Sequence, residues 1–118
     1  MPEFMTKFYD IVGRHGWLLL LAAGVFEIMW AFSLKLSEGY SKLWPTLATI
    51  PLALISTGLL AMAMRSIAMG TAYAIWTGIG AIGTVLLGIL FYQEEASPMR
   101  LFCICLILAG MLGLKLTY

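Results

Sequence analysis

Four long apolar runs separated by short polar breaks organise this chain. They span Trp17–Leu36, about Leu43–Met64, about Met69–Tyr92 and Met99–Leu116. The breaks are 37-SEGYSK-42, Arg65–Ser66 and 93-QEEASP-98, rich in Gly, Ser, Pro and charge as turns should be. Each run is near the ~20 residues that a helix needs to cross a bilayer. Strands would have to close into a barrel and alternate in polarity, which these runs do not do. The pattern predicts an all-α membrane protein with four transmembrane helices at about 17–36, 43–64, 69–92 and 99–116. Pro45 and Pro98 suit opening turns of helices. Pro51 falls inside the second run and should kink it, freeing a backbone carbonyl.

Residues 1–16 read as an N-terminal tail and 17–118 as a single four-helix domain. Met1–Phe4 reads as a non-native leader, with Met5 as the native start. Lys7 and Arg14 ahead of an apolar run imitate a secretory signal. The run is too long for one, a carboxyl interrupts it, and no small-x-small cleavage site follows. It is therefore expected to remain as the first span.

Composition agrees with a membrane reading. The 118 residues are 62% hydrophobic and 11% charged, with a net charge of +1. No basic stripe exists to meet phosphates, which argues against nucleic acid as a partner. Cys103 and Cys105 are two apart on a helix and point to nearly opposite sides, so they cannot bridge each other. With His15 alone elsewhere, they build no metal site, and no cofactor is expected. His15 reads as a solvated interfacial residue. An even number of spans puts Lys7, Arg14, Arg65 and Lys115 on one side and Lys35, Lys42 and Arg100 on the other. So small a bias barely orients the protein. Weakly biased single insertion and insertion in both orientations both remain open on this count.

Glu27 is the chemically informative residue. It lies in the middle of the first run, where a carboxyl costs roughly 2.5–3.5 kcal/mol or more, and such a residue is a functional candidate by default. Helical spacing puts Leu20, Ala23, Gly24, Trp30, Ala31 and Leu34 on its face or flanks. Trp30, one turn on, offers a π face and an indole donor, so carboxylate and aromatic wall together suit a cation. Trp30 is too deep for a headgroup anchor, whereas Trp17 and Trp44 at run ends fit that role. The third run carries a stripe of Tyr73, Trp76, Thr77, Gly80 and Thr84. Its glycines alone are best read as close helix packing. The rings with polar tips are harder to set aside, since they need partners in lipid. The mid-membrane Ser56 has a strong local alternative, a bond to the Leu52 carbonyl one turn back. Lys35 is read as snorkelling to the interface rather than binding directly. Gly110 and Gly113 are candidate helix contacts.

These residues resemble the small multidrug resistance family of proton-coupled exporters. The matching pieces are 24-GVFEIMWAFSLKLSEGYSKLWP-45, 70-GTAYAIWTGIGAIGTVLLG-88 and 109-AGMLGLKL-116, and the likeness covers nearly everything after His15. Within the family, Glu27-x-x-Trp30, 76-WTGIGA-81 and Gly113-Leu114-Lys115 are similar to the guanidinium-exporter subtype. The resemblance implies a multi-pass protein of the bacterial inner membrane and an antiparallel homodimer, often with dual topology. It implies Glu27 as the proton and substrate carboxylate, with Trp30, Ser56, Tyr73 and Trp76 lining the site. Two positions depart from the pattern: Ala68, where the subtype often has Pro, and Cys103, where many relatives carry a glycine.

The mechanism this implies is exchange of guanidinium for protons by alternating access. Two Glu27 carboxyls in one cavity would titrate as a unit. Burial in a low-dielectric site disfavours a carboxyl's charged form, so proton and cation can compete for it. The alternatives are a promiscuous quaternary ammonium or multidrug exporter of the same family, one half of a heterodimeric pair, or a non-transporting subunit whose acid pairs with a partner's base. An enzyme is least consistent, because no nucleophile–base pair or phosphate loop appears.

Overall fold

The computed structural model describes residues 2–117. Met1, the first residue of the leader reading, and Tyr118, the last of the domain reading, lie outside the described residues. Five helices follow one another: α1 (Glu3–Arg14), α2 (Gly16–Leu36), α3 (Leu43–Ala63), α4 (Met69–Phe91) and α5 (Pro98–Thr117). The last four are long and apolar enough to cross a membrane. Their bounds depart from the expected ones by a single residue at most, because charge, Gly and Pro terminate apolar runs sharply. Pro98 opens α5 and Pro45 lies in the first turn of α3. Pro51 withholds an N–H from the Leu47 carbonyl, yet α3 continues through it.

The segment before Trp17 is more than a tail. Its apolar and polar residues alternate with helical period, and it forms α1, joined to α2 through His15. His15 Nδ1 lies 2.9 Å from the Ile11 carbonyl, which closes the last turn of α1.

Successive spans run in opposite directions. Near one end Gly16 of α2 abuts Ser66 and Ile67 beyond the end of α3, and at mid-span Ala23 meets Ser56. The α4 partners of α2 climb in step with it: Gly24 against Ile79, Glu27 against Gly80, Ile28 against Gly83. α2 and α4 therefore run parallel, with α3 antiparallel to both. Leu20, Ala23, Leu60, Ala63, Ile67, Ala72 and Ile75 form the buried core. Leu20, Ala63 and Ile67 place much of it towards the end that holds the α3–α4 turn. α2 packs extensively on α3 and on α4, while α3 and α4 touch each other little. α5 joins the bundle through α4, where Gly78 admits Met111, and none of its residues is buried.

The α2–α3 turn is tight. Glu38, Gly39 and Tyr40 all have positive φ, at 48°, 71° and 67°. Gly39 takes this conformation without steric cost; Glu38 and Tyr40 are held there by their neighbours. The buried Ser37 hydroxyl donates to the Leu34 carbonyl at 2.7 Å and accepts from the Tyr40 amide at 3.1 Å. At this end the Lys35 ammonium lies 5.3 Å from the centre of the Tyr92 ring, as suits an interfacial side chain.

Candidate functional site

Glu27 sits half-buried at mid-span on the face of α2 between its α3-facing and α4-facing rows. Its side chain occupies the space opposite Gly80: a Cβ added at Gly80 would lie 2.6 Å from Glu27 Cγ. Gly80 thus gives the acid its room, and Gly24 and Gly83 let the two helices come together above and below it. The carboxylate makes no hydrogen bond or ion pair among the described residues.

Ser56 corrects the sequence reading. Its hydroxyl does not bond back to Leu52 within α3. It is fully buried and donates across to the Ala23 carbonyl of α2 at 2.7 Å. In an α-helix that carbonyl also accepts the amide of the residue four places on, here Glu27. Ser56 therefore grips the helical turn that presents the acid. The same hydroxyl accepts a hydrogen bond from Trp76 Nε1 of α4 at 3.0 Å. One serine links three helices, and the indole of Trp76 is satisfied in a medium that offers no water.

Tyr73 continues the chain of contacts. Its ring centre lies 5.4 Å from that of Trp76, tilted by 52°, and it is 54% exposed on the open side of the protomer. Thr77 donates to the Tyr73 carbonyl at 2.8 Å. Thr77 and Thr84 are exposed along the same stripe. Trp30, half-buried one turn beyond Glu27, has neither a ring partner nor a hydrogen bond among the described residues. The structure thus joins Ser56, Trp76 and Tyr73 to the backbone of the Glu27 turn, and leaves Trp30 beside Glu27 but outside that network.

Two participants were missed from the sequence. Gly80 was noted on the stripe, but its pairing with Glu27 depends on the register of α2 against α4. The Ala23 carbonyl carries no side-chain signal at all. A 620 Å³ cavity lies elsewhere, between α2, α4 and α5, with Trp17, Ile75, Met111 and Lys115 in its wall. It is almost wholly apolar and does not include Glu27, so it has no counter-charge for a cation. Trp17 is half-buried against the core, and the Lys115 ammonium lies 5.4 Å from the centre of its ring, so it is packed more firmly than a simple anchor.

Four long apolar spans with one acid at mid-span fit a membrane transporter. Comparison with known proteins gives the same class. A profile of Small Multidrug Resistance proteins matches residues 15–107. Over 101 residues, covering 86% of this chain and 96% of theirs, the chain is 52% identical to a guanidinium exporter of Salmonella typhimurium. It is 48% identical, with the same coverage, to guanidinium exporters of Citrobacter freundii and Escherichia coli K12. The chain belongs to the small multidrug resistance family, and it is a multi-pass protein of the bacterial inner membrane.

Proposed function

We propose that this protein exports guanidinium and small substituted guanidinium ions in exchange for protons, as an antiparallel homodimer that alternates access to one shared site. The observation that carries the proposal is the Glu27 carboxyl, half-buried at mid-span opposite Gly80 without a hydrogen bond among the described residues, on a helical turn that Ser56 ties to Trp76 and, through its ring, to Tyr73. An isolated carboxyl in lipid is costly, and a second copy closing over it would enclose a site where a cation can pair with it. Guanidinium is planar, and its forked donors match carboxylate oxygens while its faces stack on rings. The relatives named guanidinium exporters support the same substrate class.

In this mechanism the site holds protons or the cation, never both, and only a loaded site changes sides. Ser56 holds the Glu27 turn and Trp76 in register. Tyr73 and Trp30 bound the space around the substrate. The test is guanidinium uptake by this chain alone in liposomes, driven by a pH difference. Wild type should accumulate guanidinium, and Glu27→Gln should fall to the protein-free background. Accumulation by Glu27→Gln would overturn the assignment of the acid, and failure of wild type alone would favour a heterodimeric pair.

A further inference from the structure

α1 stands outside the region that matches the family, and its residues sort onto three faces. Met5, Tyr9 and Val12 turn towards the bundle: Val12 is 4% exposed, and the Arg65 guanidinium of the α3–α4 turn lies 3.9 Å from the centre of the Tyr9 ring. Glu3, Thr6, Lys7, Asp10 and Arg14 form a polar face, on which Lys7 pairs with Glu3 at 3.7 Å. Phe4, Phe8 and Ile11 make up the remaining face and are uncovered, with Phe8 42% and Ile11 57% exposed.

We infer that α1 is an interfacial helix, seated in the headgroup–acyl boundary of the same bilayer that the four spans cross. His15 is the only residue between α1 and the membrane span α2, so the C-terminal end of α1 is held at the membrane surface. The contact to Arg65 and the burial of Val12 fix its rotation about its own axis. That rotation leaves the Phe4, Phe8 and Ile11 face uncovered by the bundle. An amphipathic helix in this position buries its apolar side roughly 5–10 Å into the boundary. A second copy of α1 is a poor occupant if the proposed antiparallel dimer holds, because that pairing places the two α1 helices at opposite surfaces. The polar face carries two acids and two bases, so the seat rests on apolar burial and not on attraction to anionic lipid.

The full chain in liposomes tests this without reference to transport or orientation. In a Cys103→Ala, Cys105→Ala background, Phe8→Cys and Asp10→Cys are spin-labelled separately. Collision with oxygen, which concentrates in lipid, is compared with collision with a water-soluble nickel chelate. The label at position 8 should favour oxygen and the label at position 10 the chelate. This contrast should be the same in zwitterionic and in anionic vesicles. Equal, water-like access at both positions would overturn the inference. So would a label at position 8 shielded from both reagents, which would mean a protein partner covers this face. Loss of the contrast in zwitterionic vesicles alone would show the contact to be electrostatic, and would equally overturn it.

Discussion

Ser56 shows how one hydroxyl can organise a site in lipid. It donates to the Ala23 carbonyl and accepts from Trp76 Nε1, so neither polar group is left unpaired. Interhelical hydrogen bonds in membranes average well below 2 kcal/mol, and the loss of this one matters for position more than for stability. Ser56→Ala should lower unfolding stability by about 1 kcal/mol, since it orphans the indole N–H but leaves the Ala23 carbonyl its helical partner. Its larger effect should be on apparent guanidinium affinity in the uptake assay, through a loosened Glu27 turn. Trp76→Phe keeps Ser56 anchored on Ala23, so it should preserve stability better than Ser56→Ala while weakening binding. Equal effects of the two variants on both readouts would contradict this division. Trp30→Gly is expected to widen selectivity towards tetraalkylammonium ions, and an unchanged preference would argue against a wall role for Trp30. At this scale the sequence was informative where chemistry was costly. Glu27 stood out because a carboxyl has no bland reason to lie at mid-membrane. Ser56 stood out only through the family resemblance, because a local carbonyl one turn back offered its hydroxyl an equally cheap partner, and only the register of α3 against α2 decides between them.

At the scale of elements, the spans could be read almost to the residue, since a continuous apolar run in lipid permits only a helix. Their packing was not legible in the same way. The glycines of the third run announced close approach, but which residue each would admit depends on interhelical register. Gly24 admits Ile79, Gly83 admits Ile28, and Gly80 admits the side chain of Glu27. Gly83→Leu should therefore force α2 and α4 apart, at about 1–3 kcal/mol as other overpacked cores show. Gly80→Leu should add a direct displacement of Glu27 and abolish uptake. The check is thermal unfolding in detergent beside liposome uptake. Gly80→Leu with normal transport would mean that the contact between the two residues is incidental. α1 escaped the sequence reading for a different reason. A short segment with charge near the N-terminus resembles a tail unless its apolar residues are counted at helical spacing, where Phe4, Phe8 and Ile11 fall on one face and Met5, Tyr9 and Val12 on the next.

For the whole molecule, the proposed dimer would cover surfaces that the single chain leaves open. α5 buries no residue, and the positions around Gly110 and Gly113 are open, with no neighbour where a side chain would project. Tyr73, Thr77 and Thr84 are exposed along α4. In the proposed dimer a second protomer would cover this stripe and bring two Glu27 groups together. Gly110→Leu and Gly113→Leu should each weaken this pairing, read as faster subunit exchange between differently labelled proteins in vesicles. Exchange at the wild-type rate would place the contact elsewhere. The near-balance of Lys and Arg between the two sides becomes intelligible in such an assembly, because each protomer then inserts in either orientation.

The most direct measurement is proton release from the purified, weakly buffered protein when guanidinium is added. The account predicts a saturable acidification that disappears in Glu27→Gln and that demands more guanidinium as the starting pH is lowered, because protons then hold the site. Guanidinium binding with no proton released, or release that survives Glu27→Gln, would contradict it.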